Sequence, residues 1–380
     1  MATTENGSAK HRHLVTGAWL EGDDPGERKF IKIGDLTLES GVVLPDITIA
    51  YQSWGRLNSD KSNAILINHA LTGWSDVTKW WPQMVGPGLA FDSDKYFIIC
   101  PNVIGGCQGS TGPSSIAPDG KRYGSRFPII TIRDMVRVQA RLADHLGVGV
   151  WHSVIGGSMG GMQVLEWAVT FPERVRSVVP IATCVQASAQ QIAWGSIGRR
   201  AIINDPKWRG GDYYEAQPGD GPHEGLSTAR MVAQVTFRSD NVFTDRFGRD
   251  MTGGSSSAKS LDGKFEVERY LEYHGDKLVG RFDANSYMTI GKAMDLHDVA
   301  RGRGTLESAV ARITSPVLTM GIWSDFLYPE YQQLQIRDMV AANGVRAEYI
   351  EVDSPHGHDA FLIELDQVGP AIRRFIESID

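Results

Sequence analysis

Residues 150–171 read VWHSVIGGSMGGMQVLEWAVTF, and this stretch decides the fold. Its first six positions read as a strand buried in a mostly parallel sheet. Residues 162–171 read as a helix that Pro172 stops. Between the two, Gly156-Gly157-Ser158-Met159-Gly160 fits the G-x-S-x-G pattern, a serine on a sharp strand-to-helix turn. The small residues have a physical reason. A nucleophile on so tight a turn is held in strained dihedrals, and side chains at Gly156 or Gly160 would strike neighbouring backbone. The helix N-terminus brings partial positive charge and free N–H groups to the Ser158 hydroxyl, where an oxyanion would form. A phosphate-binding loop would instead need a Lys-Ser/Thr ending, and a dinucleotide fingerprint would sit on the first strand. Residues 105–112 (GGCQGSTG) lack that lysine too, and read as a loop passing close to the site.

Outward from this stretch, short apolar runs bounded by turn residues recur at 47–51, 64–68, 96–100, 175–181, 317–322 and 349–352. Helical spacing marks 130–146, with Asp134 in its first turn, and a closing helix over 360–379. Strands alternating with helices predict a doubly wound α/β sheet. Residues 184–298 break the rhythm with helix-compatible segments and polar loops, among them the short flexible loop GGSSS at 253–257. They read as a helical cap inserted into a core made of 31–183 and 299–380. Residues 1–30 read as a loose arm.

The 380 residues are 42% hydrophobic and 22% charged, which excludes disorder and repeats. A net charge of -7 argues against a nucleic-acid groove. No window approaches ~18 uninterrupted apolar residues, so no membrane span is expected. Three cysteines and a polar start without a signal-peptide core predict a cytoplasmic protein with free thiols.

A serine needs a base, and the base an orienting acid. On such a sheet the chain order is Ser, then Asp or Glu, then His. Asp325 lies just past the strand at 317–322, at the carboxyl edge of the sheet, where catalytic groups collect. Asp338, on a helix, and Asp353, at a strand end, are its rivals. His356 and His358 both occupy the loop after the last strand, and either could reach Ser158. The loop His69-Ala70-Leu71-Thr72-Gly73 follows an early strand. Its Leu71 N–H would pair with the Met159 N–H as oxyanion donors. His69 itself reads as a core histidine bonded to backbone.

NHALTG, NVIGGCQGSTGPSS, GSRFP, IRDMV, GGSMGGMQVLEWA, RFDANSY, SDFLYP and GHDAFL, in this order and spacing, resemble the homoserine O-acetyltransferase family of the α/β-hydrolase fold. The resemblance covers nearly all the chain from about Phe30. It implies Ser158 as nucleophile, Asp325 as acid and His358, not His356, as base. It also implies that Arg230 in the cap holds the homoserine carboxylate and that Asp359 contacts its amino group; a guanidinium suits a carboxylate because it presents a bidentate fork. The family usually has a tyrosine where this chain has Phe237 in Thr236-Phe237-Arg238-Ser239, which removes one hydroxyl from the site. The implied reaction is acetyl transfer from acetyl-CoA to the hydroxyl of L-homoserine, a step toward methionine, with acetyl-CoA as co-substrate and no metal or resident cofactor. The implied assembly is a homodimer through the cap helices. Succinyl-CoA as donor, serine as acceptor, a plain esterase and a non-catalytic binding protein are the alternatives. A complete triad argues against the last, and Arg230 with Asp359 against the esterase.

Overall fold

The computed structural model describes residues 14–253 and 260–379. Its eight strands are β1 (Lys29–Thr37), β2 (Val43–Trp54), β3 (Ala64–Asn68), β4 (Phe97–Pro101), β5 (Ser153–Gly157), β6 (Val178–Ile181), β7 (Val317–Ile322) and β8 (Ala347–Val352). They form one sheet in the order β1-β2-β4-β3-β5-β6-β7-β8. The contacts of β2 with β1 and β4 are antiparallel; every later pairing is parallel. The helices are α1 (Val77–Trp80), α2 (Ile132–His145), α3 (Met159–Thr170), α4 (Ala189–Ile203), α5 (His223–Thr236), α6 (Asp240–Phe247), α7 (Glu266–Val279), α8 (Ala284–Asp295), α9 (Leu306–Val310), α10 (Glu330–Ala341), α11 (Ala360–Ile363) and α12 (Leu365–Glu377). Helices α4 to α8 follow β6 and precede β7, and they form the cap.

Strands β3, β5, β6 and β7 are buried at every position because both faces are covered. Leu66, Ile99, Val154, Val178 and Val317 pack with α2 and α3 on one side. Ile65, Ile67, Ile155, Val179 and Met320 pack with Trp81, Phe361, Ile372 and Phe375 on the other.

Several boundaries differ from expectation, and β1, which pairs with β2, lies where no strand is expected; three differences have a clear physical reason. Strand β5 runs on through Gly156 and Gly157, which pair with Asn68 of β3 and Ile181 of β6, so α3 starts at Met159 and Ser158 alone makes the turn. The closing helix is broken at Glu364, whose ψ of 60° is not helical. At the break the Trp81 indole N–H donates to the Phe361 carbonyl at 2.9 Å, an acceptor that a continuous helix would need for itself. Residues 14–28 are not loose. The Gly17 N–H donates to the Phe282 carbonyl (3.2 Å) and the Trp19 N–H to that of Cys107 (2.9 Å), which pins the segment between core and cap. Residues 1–13 of the expected arm, and 254–257 of the loop read as flexible, lie outside the described residues.

Candidate active site

Ser158 stands between β5 and α3 with φ 58° and ψ -123°, a strained conformation for a residue with a side chain. Neighbouring backbone holds it there. Its N–H donates to the Ile181 carbonyl (2.9 Å), and its own carbonyl accepts from Thr183 Oγ1 (2.9 Å) and the Met162 N–H (3.1 Å). The flanking glycines are required by close approach: a Cβ on Gly160 would lie 2.2 Å from the Asn68 carbonyl oxygen, and one on Gly156 2.7 Å from the Gly160 carbonyl carbon.

Asp325 and His358 meet beside it. His358 Nδ1 lies 2.7 Å from Asp325 Oδ2, both side chains being buried. The other carboxylate oxygen, Oδ1, accepts the N–H groups of Leu327 (2.9 Å) and Tyr328 (2.8 Å), so the acid is locked in orientation. Burial alone would pull the His358 imidazole down. The charge and hydrogen bond of Asp325 outweigh it and leave the ring above its ordinary value. Among the described residues the rivals have other partners. Asp353 accepts from the Trp323 indole (3.1 Å), Asp338 pairs with Arg337, and His356 is held through its backbone N–H by Ser354 Oγ (3.2 Å).

The loop from His69 to Gly73 faces the serine. His69 is buried and pulled down to about 4 by desolvation. Neutral, it donates from Nδ1 to the Ala70 carbonyl (2.8 Å) and accepts the Val103 N–H at Nε2 (3.2 Å), the backbone-bonded core role expected of it. The Gly73 N–H closes the turn onto the Ala70 carbonyl at 2.9 Å. Neither the Leu71 nor the Met159 N–H is committed to an acceptor among the described residues.

One cavity brings Leu71, Ser158, Arg230, His358 and Asp359 together, walled by Trp74, Trp80, Phe237 and Phe361. The Arg230 guanidinium lies 5.1 Å over the Phe237 ring. It has no ion-pair partner among the described residues, and burial pulls it below its ordinary value. Asp359 is already paired: Arg238 Nη2 is 3.2 Å from its Oδ2. A second, more apolar cavity between α4, α5 and α8 shares Leu71 and Phe237 with the first but reaches none of Ser158, His358 or Asp359. The chemistry belongs to the first.

Sequence reasoning missed three members of this site. Tyr328 lies with its ring centroid 5.0 Å from that of His358, tilted at 30°, and stays protonated, burial pushing it well above the ordinary range. Its signal was present in SDFLYP. Arg238, in the string read only for its phenylalanine, neutralises Asp359. Arg281, in RFDANSY, lines the same cavity and donates to the Thr72 carbonyl at 2.7 Å.

A serine sharing a cavity with the histidine of a buried His–Asp pair, beside two free N–H groups, can perform acyl transfer. Residues 63–364 match the family model of the alpha/beta hydrolase fold. The homoserine O-acetyltransferase of Thermobifida fusca (strain YX) is 48% identical, over 95% of this chain and 97% of that protein. Among solved structures, a homoserine O-acetyltransferase from Bacillus anthracis matches with a TM-score of 0.86 at 27% identity, over 93% of this chain and 98% of that one. The esterase E22 matches nearly as well, with a TM-score of 0.84 at 26% identity, over 92% and 99%. Backbone shape therefore does not separate transferase from esterase; sequence identity does. The chain belongs to the homoserine O-acetyltransferase family, within the alpha/beta hydrolase fold.

Proposed function

We propose that the protein transfers an acetyl group from acetyl-CoA to the side-chain hydroxyl of L-homoserine, through an acetyl-Ser158 intermediate. His358 Nε2 takes the Ser158 proton as Oγ attacks the thioester carbonyl, and Asp325 stabilises the imidazolium. The Leu71 and Met159 N–H groups hold the oxyanion. Its collapse breaks the C–S bond, and the proton on His358 leaves with the CoA thiol. Homoserine then enters with its carboxylate at Arg230 and its ammonium at Asp359. His358 deprotonates its hydroxyl, the new C–O bond forms, and the proton returns to Ser158 as O-acetyl-L-homoserine departs.

The observation that carries this reading is an unpartnered, buried Arg230 in the serine's own cavity together with the Asp359 carboxylate, of which Arg238 engages only Oδ2. A zwitterion complements them; a simple ester does not. The solved esterases of the same shape favour hydrolysis as the second reading, and succinyl-CoA as donor is a third. Mass spectrometry of Ser158 after mixing with acetyl-CoA or succinyl-CoA separately reports nucleophile and donor together. Acetylation of wild type and not of Ser158→Ala, followed by discharge to homoserine faster than to water, is expected. Rapid discharge to water alone would establish the esterase. In the same reading Ile192, Ile197 and Ile203, exposed on α4, support self-association through the cap.

A further inference from the structure

The cap carries cations without an ion-pair partner among the described residues, Lys277 and Arg246, that the transfer chemistry does not use. Helix α7 has Tyr270, Tyr273, His274 and Lys277 at i, i+3, i+4 and i+7, one face of a helix. Arg281, at i+11 and just past the helix end, opens into the cavity that holds Ser158. At ~1.5 Å per residue, Tyr270 to Lys277 spans about 10 Å along α7.

The acids nearest these cations make no ion pair with them among the described residues. Glu272, on the opposite side of α7, pairs with Lys264, and Glu266 pairs with Arg269 at 3.9 Å, while Asp276, the sequence neighbour of Lys277, forms no ion pair with it. Lys277 Nζ lies 5.8 Å over Tyr273, and the guanidinium of Arg246, reaching over from α6, lies 4.8 Å over Tyr270. Among the described residues neither cation has a carboxylate partner. Burial, and after it the charges of Arg230, Lys277, Arg238 and Arg246 around it, push His274 down to about 4. The surface is also aromatic, Tyr273 being 60% exposed.

We propose that Lys277 and Arg246, with the exposed Tyr273 ring, bind the phosphorylated nucleotide end of the acyl donor while its thioester arm passes Arg281 to reach Ser158. This rests on the acyl-CoA reading above and adds a site to it. Phosphates complement the unpaired cations, and an adenine ring complements an exposed aromatic face. A net charge of -7 makes such a patch a local exception that would draw a polyanion from solution.

The test compares two donors in the acylation half-reaction: acetyl-CoA, and acetyl-pantetheine, which has the same thioester arm and no phosphate. Lys277→Gln and Arg246→Gln should each lower the kcat/KM ratio of acetyl-CoA to acetyl-pantetheine roughly two- to fivefold, and Lys277→Glu more. The wild-type preference for acetyl-CoA should also shrink with rising salt. An unchanged ratio in all three variants, with normal acetylation of Ser158, overturns the site and leaves the acyl-CoA reading intact. Equal losses with both donors overturn it too, since they would mark a structural role for α7. No acetylation from either donor in wild type overturns the donor reading and this site with it.

Discussion

His358 has to be neutral to take the Ser158 proton, so the acid limb of kcat/KM follows its titration in the free enzyme. Asp325 lifts that titration above the ordinary value near ~6.5, hence activity should fall as pH drops through a point above ~6.5. Asp325→Asn removes the lifting charge and leaves the burial. Its residual activity should show the limb displaced to lower pH, with kcat reduced by up to about 10⁴. A pH profile of acylation measures both; a limb that stays in place would mean another group sets it. Arg230 acts on the other half-reaction. Arg230→Ala should slow discharge of the acyl-enzyme to homoserine by about one to two orders of magnitude, the worth of one buried charge-assisted hydrogen bond. Acylation never meets homoserine and should proceed normally. Single-turnover measurements separate the steps, and equal losses in both would make Arg230 structural. The departure at Phe237 also has a physical reading: its ring packs at 5.8 Å on His358 and under the Arg230 guanidinium, so it keeps the aromatic contacts while supplying no hydroxyl.

Among the elements, the β5–α3 turn sets the tolerances. A methyl on Gly160 would need the Asn68 carbonyl of β3 to move by most of an ångström, and β3 also leads into the loop of Leu71. Gly160→Ala should therefore destabilise the protein by about 1–3 kcal/mol and slow acylation as well, because nucleophile and oxyanion loop shift together. Gly149→Ala, where a Cβ meets nothing within 4 Å, is the matched control and should change neither. Denaturant titration alongside acetylation of Ser158 checks both. The same turn shows how far the sequence could be read. The parallel strands were legible because burial on both faces leaves continuous apolar runs such as Ala64–Asn68 and Val317–Ile322. The two extra strand residues at Gly156 and Gly157 were not, since glycine signals a turn and only the neighbouring strands pull it into the sheet. The Asp325–His358 pair was partly legible: chain order selected the acid, while the choice between His356 and His358 needed the family resemblance. The Arg238–Asp359 pair was not legible at all, because it joins the α5–α6 junction to the catalytic loop and depends on how the cap seats.

Across the whole molecule, seating of the cap depends on a buried ion network remote from the serine. Glu166 of α3 accepts from Arg133 Nε of α2 (2.8 Å), from Thr170 Oγ1 (2.7 Å) and from Arg303, which lies in the chain returning from the cap. Glu39, in the β1–β2 turn, accepts from Arg133 Nη1 (2.7 Å) and Arg301 Nη2 (2.9 Å). Four separate segments are tied by two carboxylates. Burial pushes both carboxylates up, but Arg303 and Arg133 at Glu166, and Arg301 with Thr131 and Arg133 at Glu39, bring them below the ordinary value. A depressed carboxylate contributes stability that is fully present above its unfolded value, ~4.3, and is lost as pH falls through the lower folded value. Glu166→Gln should consequently cost about 3–5 kcal/mol at pH 7, the figure for removing one partner of a buried ion pair, because Arg303 and Arg133 lose their shared counterion. Between pH ~4 and the folded value, the variant's stability should fall less steeply than that of wild type, since one of the two titrating groups is gone. Glu39→Gln should cost less, its carboxylate being more exposed than that of Glu166. Denaturant midpoints at pH 7 and at pH 3.5 measure the two effects together. A Glu166→Gln protein with the wild-type midpoint at pH 7 and the wild-type loss at pH 3.5 would show that apolar packing alone, through residues such as Val299 and Ile313, holds the cap's return segment to the core.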